Sequence, residues 1–218
     1  MKKGLICIIV FAALLFVSTF TVSADDWPPP TSFVVTSKDR SKAFHFDLDD
    51  ENLSNTVTAA VYYTTDPPEL VYTVEGIRSW AYLSDFYFSD DLQYFVFIPP
   101  TTNSIALEFY GNGKLTKSYT INDLVWNMLA VEHTTSTAHW REWEYNTGKT
   151  TQLDSEHNTL TLTTIDNLTY TFDITTGAVL QRINEKPFME IMQYFALAIL
   201  IVMIIGYVVV LRYKRKRS

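Results

Sequence analysis

The fold class that this sequence predicts is a mainly β domain, an antiparallel sheet or meander (partly propeller-like or a sandwich) with one short helix, followed by a C-terminal transmembrane helix. Three observations predict it. Apolar and polar residues alternate with period two in several segments, as in strands with one core face and one wet face. Asn-Gly and Thr-Gly turn signals separate those segments. Near the C-terminus a long apolar run ends in a cluster of basic residues.

Taken in order, residues 1–24 read as a secretory signal. Lys2 and Lys3 precede an apolar stretch from Leu5 to Phe16, and Val22-Ser23-Ala24 supplies the small-residue cleavage site. Residues 25–31 form a lead-in in which Pro28, Pro29 and Pro30 favour extended chain. Residues 32–187 form the β-rich domain. In it Phe44, Phe46 and Leu48 alternate with His45, Asp47 and Asp49. Ile105, Leu107 and Phe109 alternate with Ser104, Ala106 and Glu108, and Leu168, Tyr170, Phe172 and Ile174 alternate with Thr169, Thr171 and Asp173. Leu92 to Ile98 is apolar on both faces except at Gln93 and reads as a central, doubly covered strand.

Asn112-Gly113 predicts a hairpin, and Gly148 and Gly177 are expected to be left-handed residues in similar turns. Thr120 with Asp123 resembles a capping box. Ile121, Leu124, Val125, Met128 and Leu129 then recur at helical spacing, which predicts the one helix.

Phe188 to Leu211 is the predicted span, with Glu190 the only formal charge. As a helix it is about 36 Å long, enough to cross a hydrocarbon core about 30 Å thick. Residues 212–218 carry Arg212, Lys214, Arg215, Lys216 and Arg217, and this basic tail is expected to stay cytoplasmic. The β domain is then outside the cytoplasm, in a single-pass protein of the cell membrane.

Composition narrows the chemistry. The only cysteine, Cys7, lies in the signal, so the exported domain is expected to have no disulfide, thiol nucleophile or cysteine metal site. Residues 25–187 suffice to bury about 70 % of the unfolded surface in one domain. Ten basic residues face 23 acidic ones there, a net charge near −13. That field disfavours nucleic acid as a partner.

Three stretches share one local scheme: "SKDRSKAFHF" from Ser37, "SDDLQYFVFI" from Ser89 and "TIDNLTYTFD" from Thr164. Each places a hydroxyl residue and an Asp ahead of a strand, where they can bond the next backbone N–H groups and start a hairpin. With "LEFYGNGKL" and "YTFDITTGAVL", these segments resemble blades of bacterial propeller proteins, including the quinoprotein-like type. "DWPPPTSFVVTSKD" resembles the start of exported bacterial β-rich proteins of unassigned function that carry such hairpins. The resemblance implies degenerate propeller-like hairpins and brings no cofactor. The glycine expected after Asp is replaced by Arg40, Leu92 and Asn167.

The binding residues expected are His139, Arg141, Trp143 and Tyr145. "HWREWEY" places them on one face of a strand, and aromatic residues with Arg are typical of recognition surfaces. His45, Asp47 and Asp49 share a wet face and are weak metal candidates, because strand residues two apart are about 7 Å apart at the backbone. Catalytic residues are not predicted: the sequence has no His-Glu-x-x-His, Gly-x-Ser-x-Gly or phosphate-binding glycine loop. The functional expectation is a non-enzymatic module that binds a protein, peptide or glycan, without a cofactor. Its alternatives are a membrane-tethered envelope hydrolase and an accessory subunit of a membrane complex.

Overall fold

The computed structural model describes residues 29–48, 57–77, 81–100, 105–133, 137–141, 151–184, 194–195 and 197–206. The domain they form is mainly antiparallel β. The first sheet contains β1 (Phe33–Thr36), β2 (Lys42–Leu48), β3 (Val57–Tyr63) and β4 (Glu69–Val74). The second contains β5 (Phe86–Phe88), β6 (Tyr94–Phe97), β7 (Ile105–Gly111) and β8 (Lys114–Thr120). A two-stranded ribbon, β9 (Glu132–His133) with β10 (Ala138–His139), leads to the third sheet. That sheet contains β11 (Gln152–Asp154), β12 (Thr159–Thr163), β13 (Leu168–Asp173) and β14 (Val179–Asn184). Within each four-stranded sheet, spatial order equals chain order.

The second sheet is the middle layer. Phe95, Phe97 and Tyr110 pack with Phe44, Phe46 and Val61 of the first sheet. Val96, Leu107 and Phe109 pack with Leu160, Leu162, Tyr170 and Phe172 of the third. Strand alternation sends successive side chains of β6 to opposite neighbours, so both faces are dry. The doubly covered strand expected over Leu92–Ile98 is shorter: β6 is Tyr94–Phe97, with Phe95, Val96 and Phe97 buried and Tyr94 half-buried, while Leu92 is buried at a left-handed turn position ahead of it.

β7 departs from expectation for the same reason. Its Ala106 and Glu108 are buried, not wet, because the face they share is covered by other protein. Glu108 is accommodated there with the Tyr110 hydroxyl, which donates to its carboxylate at 3.1 Å. β13 keeps the predicted alternation: Leu168, Tyr170 and Phe172 are buried while Thr169, Thr171 and Asp173 are half-buried. Cross-strand hydroxyl pairs, Thr161 with Thr171 at 3.2 Å and Thr163 with Thr169 at 2.8 Å, line the polar face.

The three echoed stretches fold alike. The hydroxyls of Ser37, Ser89 and Thr164 each donate to the Asp two residues on, and each accepts the N–H of the following strand, from Lys42, Tyr94 and Leu168. Arg40, Leu92 and Asn167, where glycine was expected, all have positive φ, at 60°, 57° and 66°. The first two stretches join first and second strands (β1–β2 and β5–β6), whereas the third joins second and third (β12–β13). The echo is therefore shared turn chemistry, not a repeating sheet unit.

These left-handed positions make opposite predictions. Arg40 is exposed, so Arg40→Gly relieves the backbone penalty and raises stability by about 0.5–1 kcal/mol after the added unfolded-state entropy is subtracted. Leu92 is buried, so Leu92→Gly lowers stability by about 2–4 kcal/mol despite the same relief. Urea unfolding of the two variants beside the parent chain checks the difference in sign.

The predicted helix is much shorter than its apolar spacing suggests. The capping box is present: Thr120 Oγ1 accepts the Asp123 N–H at 3.3 Å and the Asp123 carboxylate accepts the Thr120 N–H at 2.7 Å. Yet α1 covers only Ile121–Leu124. Asp166 ends it, since its carboxylate takes the N–H groups of Trp126 (2.7 Å) and Asn127 (3.0 Å). A 3-10 turn at Met128–Ala130 follows, with Asn127 as its cap.

The signal at 1–24 and the tail at 212–218 lie outside the described residues, as does Gly148. Of 188–211, residues 194–195 and 197–206 are described and are helical. Among the described residues no helix is long and apolar enough to cross a membrane.

Candidate functional site

The described part of the predicted recognition stretch, His139 to Arg141, lies where the second and third sheets meet. β10 ends at His139, Trp140 turns inward, and Arg141 forms a bridge with Thr164 at the start of the β12–β13 turn. The Trp140 carbonyl accepts the Ile165 N–H at 2.9 Å, tying the segment to that turn. Trp140 is buried among Val96, Leu160 and Leu162, while His139 and Arg141 are half-buried. The strand expected over this stretch is described only to His139, after which the Trp140 N–H bonds the Ala138 carbonyl oxygen at 3.1 Å and Arg141 makes a single bridge. Trp143 and Tyr145 lie outside the described residues.

Sequence reading missed a neighbour of Arg141. A 3-10 turn at Leu83–Asp85 precedes β5 and buries Asp85. Its carboxylate accepts the Tyr82 N–H at 2.8 Å, and its main-chain carbonyl accepts the Ile98 N–H at 2.9 Å, next to the end of β6. Burial pushes the Asp85 carboxyl up to about 6, against the Tyr82 hydrogen bond and the attraction of Arg141, which both favour the ionised form. Arg141 Nη1 also donates to Thr151 Oγ1 at 2.9 Å. Asp85 sits in "YLSDFYF", a stretch with no recognisable spacing, and its proximity to Arg141 comes only from the stacking of sheets.

The arrangement couples a proton to folding. Between pH ~4 and ~6 folded Asp85 holds a proton that the unfolded chain releases, so stability falls as pH rises through that window. The full effect is about 3 kcal/mol. Asp85→Asn keeps an acceptor for Tyr82 and removes the ionisation. It is expected to flatten this part of the stability–pH profile and to raise stability above pH 6, as measured by urea unfolding at a series of pH values.

A second polar centre joins the turns at the other end of the strands. The Lys38 N–H donates to the Asp90 carbonyl oxygen at 2.8 Å, and the Lys38 ammonium meets the Asp90 carboxylate at 2.6 Å. Ser155, in the β11–β12 turn, also bonds the Asp90 carboxylate, and with Lys38 holds it below the usual carboxylate range. These exposed pairs link the three sheets end to end, and their energetic contribution is small.

Two of the three weak metal candidates are described. His45 and Asp47 share the outward face of β2, and the His45 ring packs edge-on to Tyr62 at 5.3 Å. Asp49 lies outside the described residues. Among the described residues no group of three or more His, Cys, Asp or Glu side chains is placed to hold a metal ion.

No family model matches the chain, and no curated protein matches it. Among solved structures, the C-terminal WD40 domain of Sif2 aligns with 77% of this chain and 41% of its own, at 13% identity and a TM-score of 0.34. The computationally designed Ika8 protein aligns with 75% of this chain and 64% of its own, at 13% identity and a TM-score of 0.26. This chain thus spans less than two thirds of either protein.

Proposed function

We propose that the chain is a membrane-anchored, extracytoplasmic binding module whose partner is a protein, peptide or glycan. In this reading 188–211 is the span, 212–218 is cytoplasmic, and the three layered meanders are a partial, propeller-like array of the kind that exported bacterial proteins carry. The observation that supports it is the surface of the C-terminal helix. Tyr194, Phe195, Leu197, Ile199, Leu200, Ile201, Val202, Met203, Ile204 and Ile205 are all exposed. Large apolar side chains on every side of a helix are stable in lipid and costly in water. The binding end is the junction of the second and third sheets, where His139 and Arg141 lie half-buried.

Two measurements test this reading together. Protease added to intact cells, or to spheroplasts if an outer membrane is present, is expected to digest the β domain and spare an epitope on the tail. Cross-linking from His139 and Arg141 positions in intact membranes is expected to capture one partner, and substitution of both residues to abolish capture. A tail open to external protease, or a cross-linking pattern unchanged by substitution, would overturn it.

A tethered hydrolase is the second reading, favoured by one observation, the buried Asp85 with a raised carboxyl beside Arg141. Loss of turnover in an Asp85→Asn chain that is more stable than the parent is its signature.

A further inference from the structure

Between α1 and β9 the chain makes an apolar knob. Trp126 is 51% exposed, Met128 39% and Leu129 97%. Both ends of the knob are anchored, by buried Leu124 and Val125 on one side and buried Val131 on the other. Its backbone is held as well. The Asp166 carboxylate accepts the Trp126 and Asn127 N–H groups, and the Asn127 side chain accepts the Leu129 N–H at 3.3 Å. These apolar tips are fixed outward by a polar network, so presenting them to an apolar phase costs little additional ordering.

The knob also touches the C-terminal helix. The Trp126 ring meets the Tyr194 ring edge-on at 5.6 Å. Tyr194 opens the stretch of exposed apolar helix, while Glu190 and Gln193 stand just ahead of it in sequence. Trp and Tyr favour the level of the lipid headgroups. A boundary at Tyr194 leaves Glu190 and Gln193 outside the hydrocarbon. Within the 188–211 span it puts 188–194 at the headgroup level and leaves Phe195 to Leu211 to cross the hydrocarbon, about 26 Å as a helix and near the short limit.

The geometry points to the knob as a membrane-docking surface. Trp126 and Tyr194 lie in the outer headgroup layer, and Met128 and Leu129 enter the acyl boundary of the same bilayer that receives the helix. The occupant is lipid because the knob adjoins the one element whose surface already demands it. The inference rests on the anchored reading above and adds to it a fixed orientation. The end of the domain carrying α1 faces the membrane, and the β1–β2, β5–β6 and β11–β12 turns face away.

The test uses the full chain with Cys7→Ser, reconstituted in phosphatidylcholine nanodiscs. A polarity-sensitive fluorophore is placed on Leu129→Cys and, separately, on Glu156→Cys in the β11–β12 turn. Circular dichroism and urea unfolding confirm that each labelled chain is folded. The expected result is blue-shifted emission at 129, quenched by lipid with a nitroxide near the headgroup and shielded from aqueous iodide. The probe at 156 is expected to show the reverse. Alkaline carbonate extraction separates the two readings. If the chain resists extraction and the probe at 129 behaves like the probe at 156, docking is overturned and the anchor stands. If carbonate releases the chain, the anchor fails and docking fails with it.

Discussion

Gly113→Ala is expected to cost about 2–5 kcal/mol, among the largest single effects in this domain. Two penalties combine. Gly113 has φ +79°, where an L side chain costs about 1–2 kcal/mol. A Cβ there also points into the first sheet, against the Thr73 carbonyl oxygen and 2.8 Å from Tyr72 Cδ2. The oxygen belongs to the backbone of β4 and cannot swing aside. Separation of the sheets is the alternative, and that breaks the Glu75 N–H bond to the Gly113 carbonyl oxygen and the Tyr72 hydroxyl bond to the Leu92 carbonyl oxygen. Gly76→Ala is the matched control. Gly76 has φ +84° and nothing within 4 Å of the added carbon, so only the conformational penalty of about 1 kcal/mol applies. Urea unfolding of both variants in detergent, followed by tryptophan fluorescence, checks the difference. Equal losses would show that contact between the first two sheets is not responsible.

Phe95→Ala is expected to cost about 3–5 kcal/mol, with unfolding midpoints falling and cooperativity retained. Phe95 is fully buried. Its ring stacks on Tyr110 at 4.7 Å and meets Phe44, Phe86 and Phe88 between 5.5 and 6.0 Å. Truncation leaves a void walled by rings from two sheets, and packed rings on extended backbone close such a void poorly. Phe95→Leu retains most of the buried volume and is expected to recover about half of the loss. A loss below about 1 kcal/mol for the alanine variant would mean that the two sheets do not share this core.

Local features of the fold were legible in the sequence. Alternation located β2 and β13, the doubly apolar run located β6, and Asn112-Gly113 located the β7–β8 turn. The Thr120–Asp123 pair located the start of α1. Features that depend on distant residues were not legible. The wet face assigned to Ala106 and Glu108 is dry because two other sheets flank β7, and a strand's own residues do not state how many neighbours it has. The helix expected to reach Leu129 stops at Leu124 because Asp166, far along the chain, takes the next N–H groups. His139 and Arg141 are both half-buried on either side of buried Trp140, but strand structure ends at His139. Asp85 feels the charge of Arg141 only through tertiary stacking that no spacing encodes.

In all three four-stranded sheets, hydrogen bonds run only between strands adjacent along the chain. Loop closure is consequently short-range, and low contact order favours rapid collapse relative to β folds with distant pairings. A chain that emerges from the ribosome N-terminus first can complete each meander before the next emerges, with no strand waiting for a partner still to arrive. The interlayer contacts then form by docking of finished units, so their disruption is expected to accelerate unfolding more than it slows refolding.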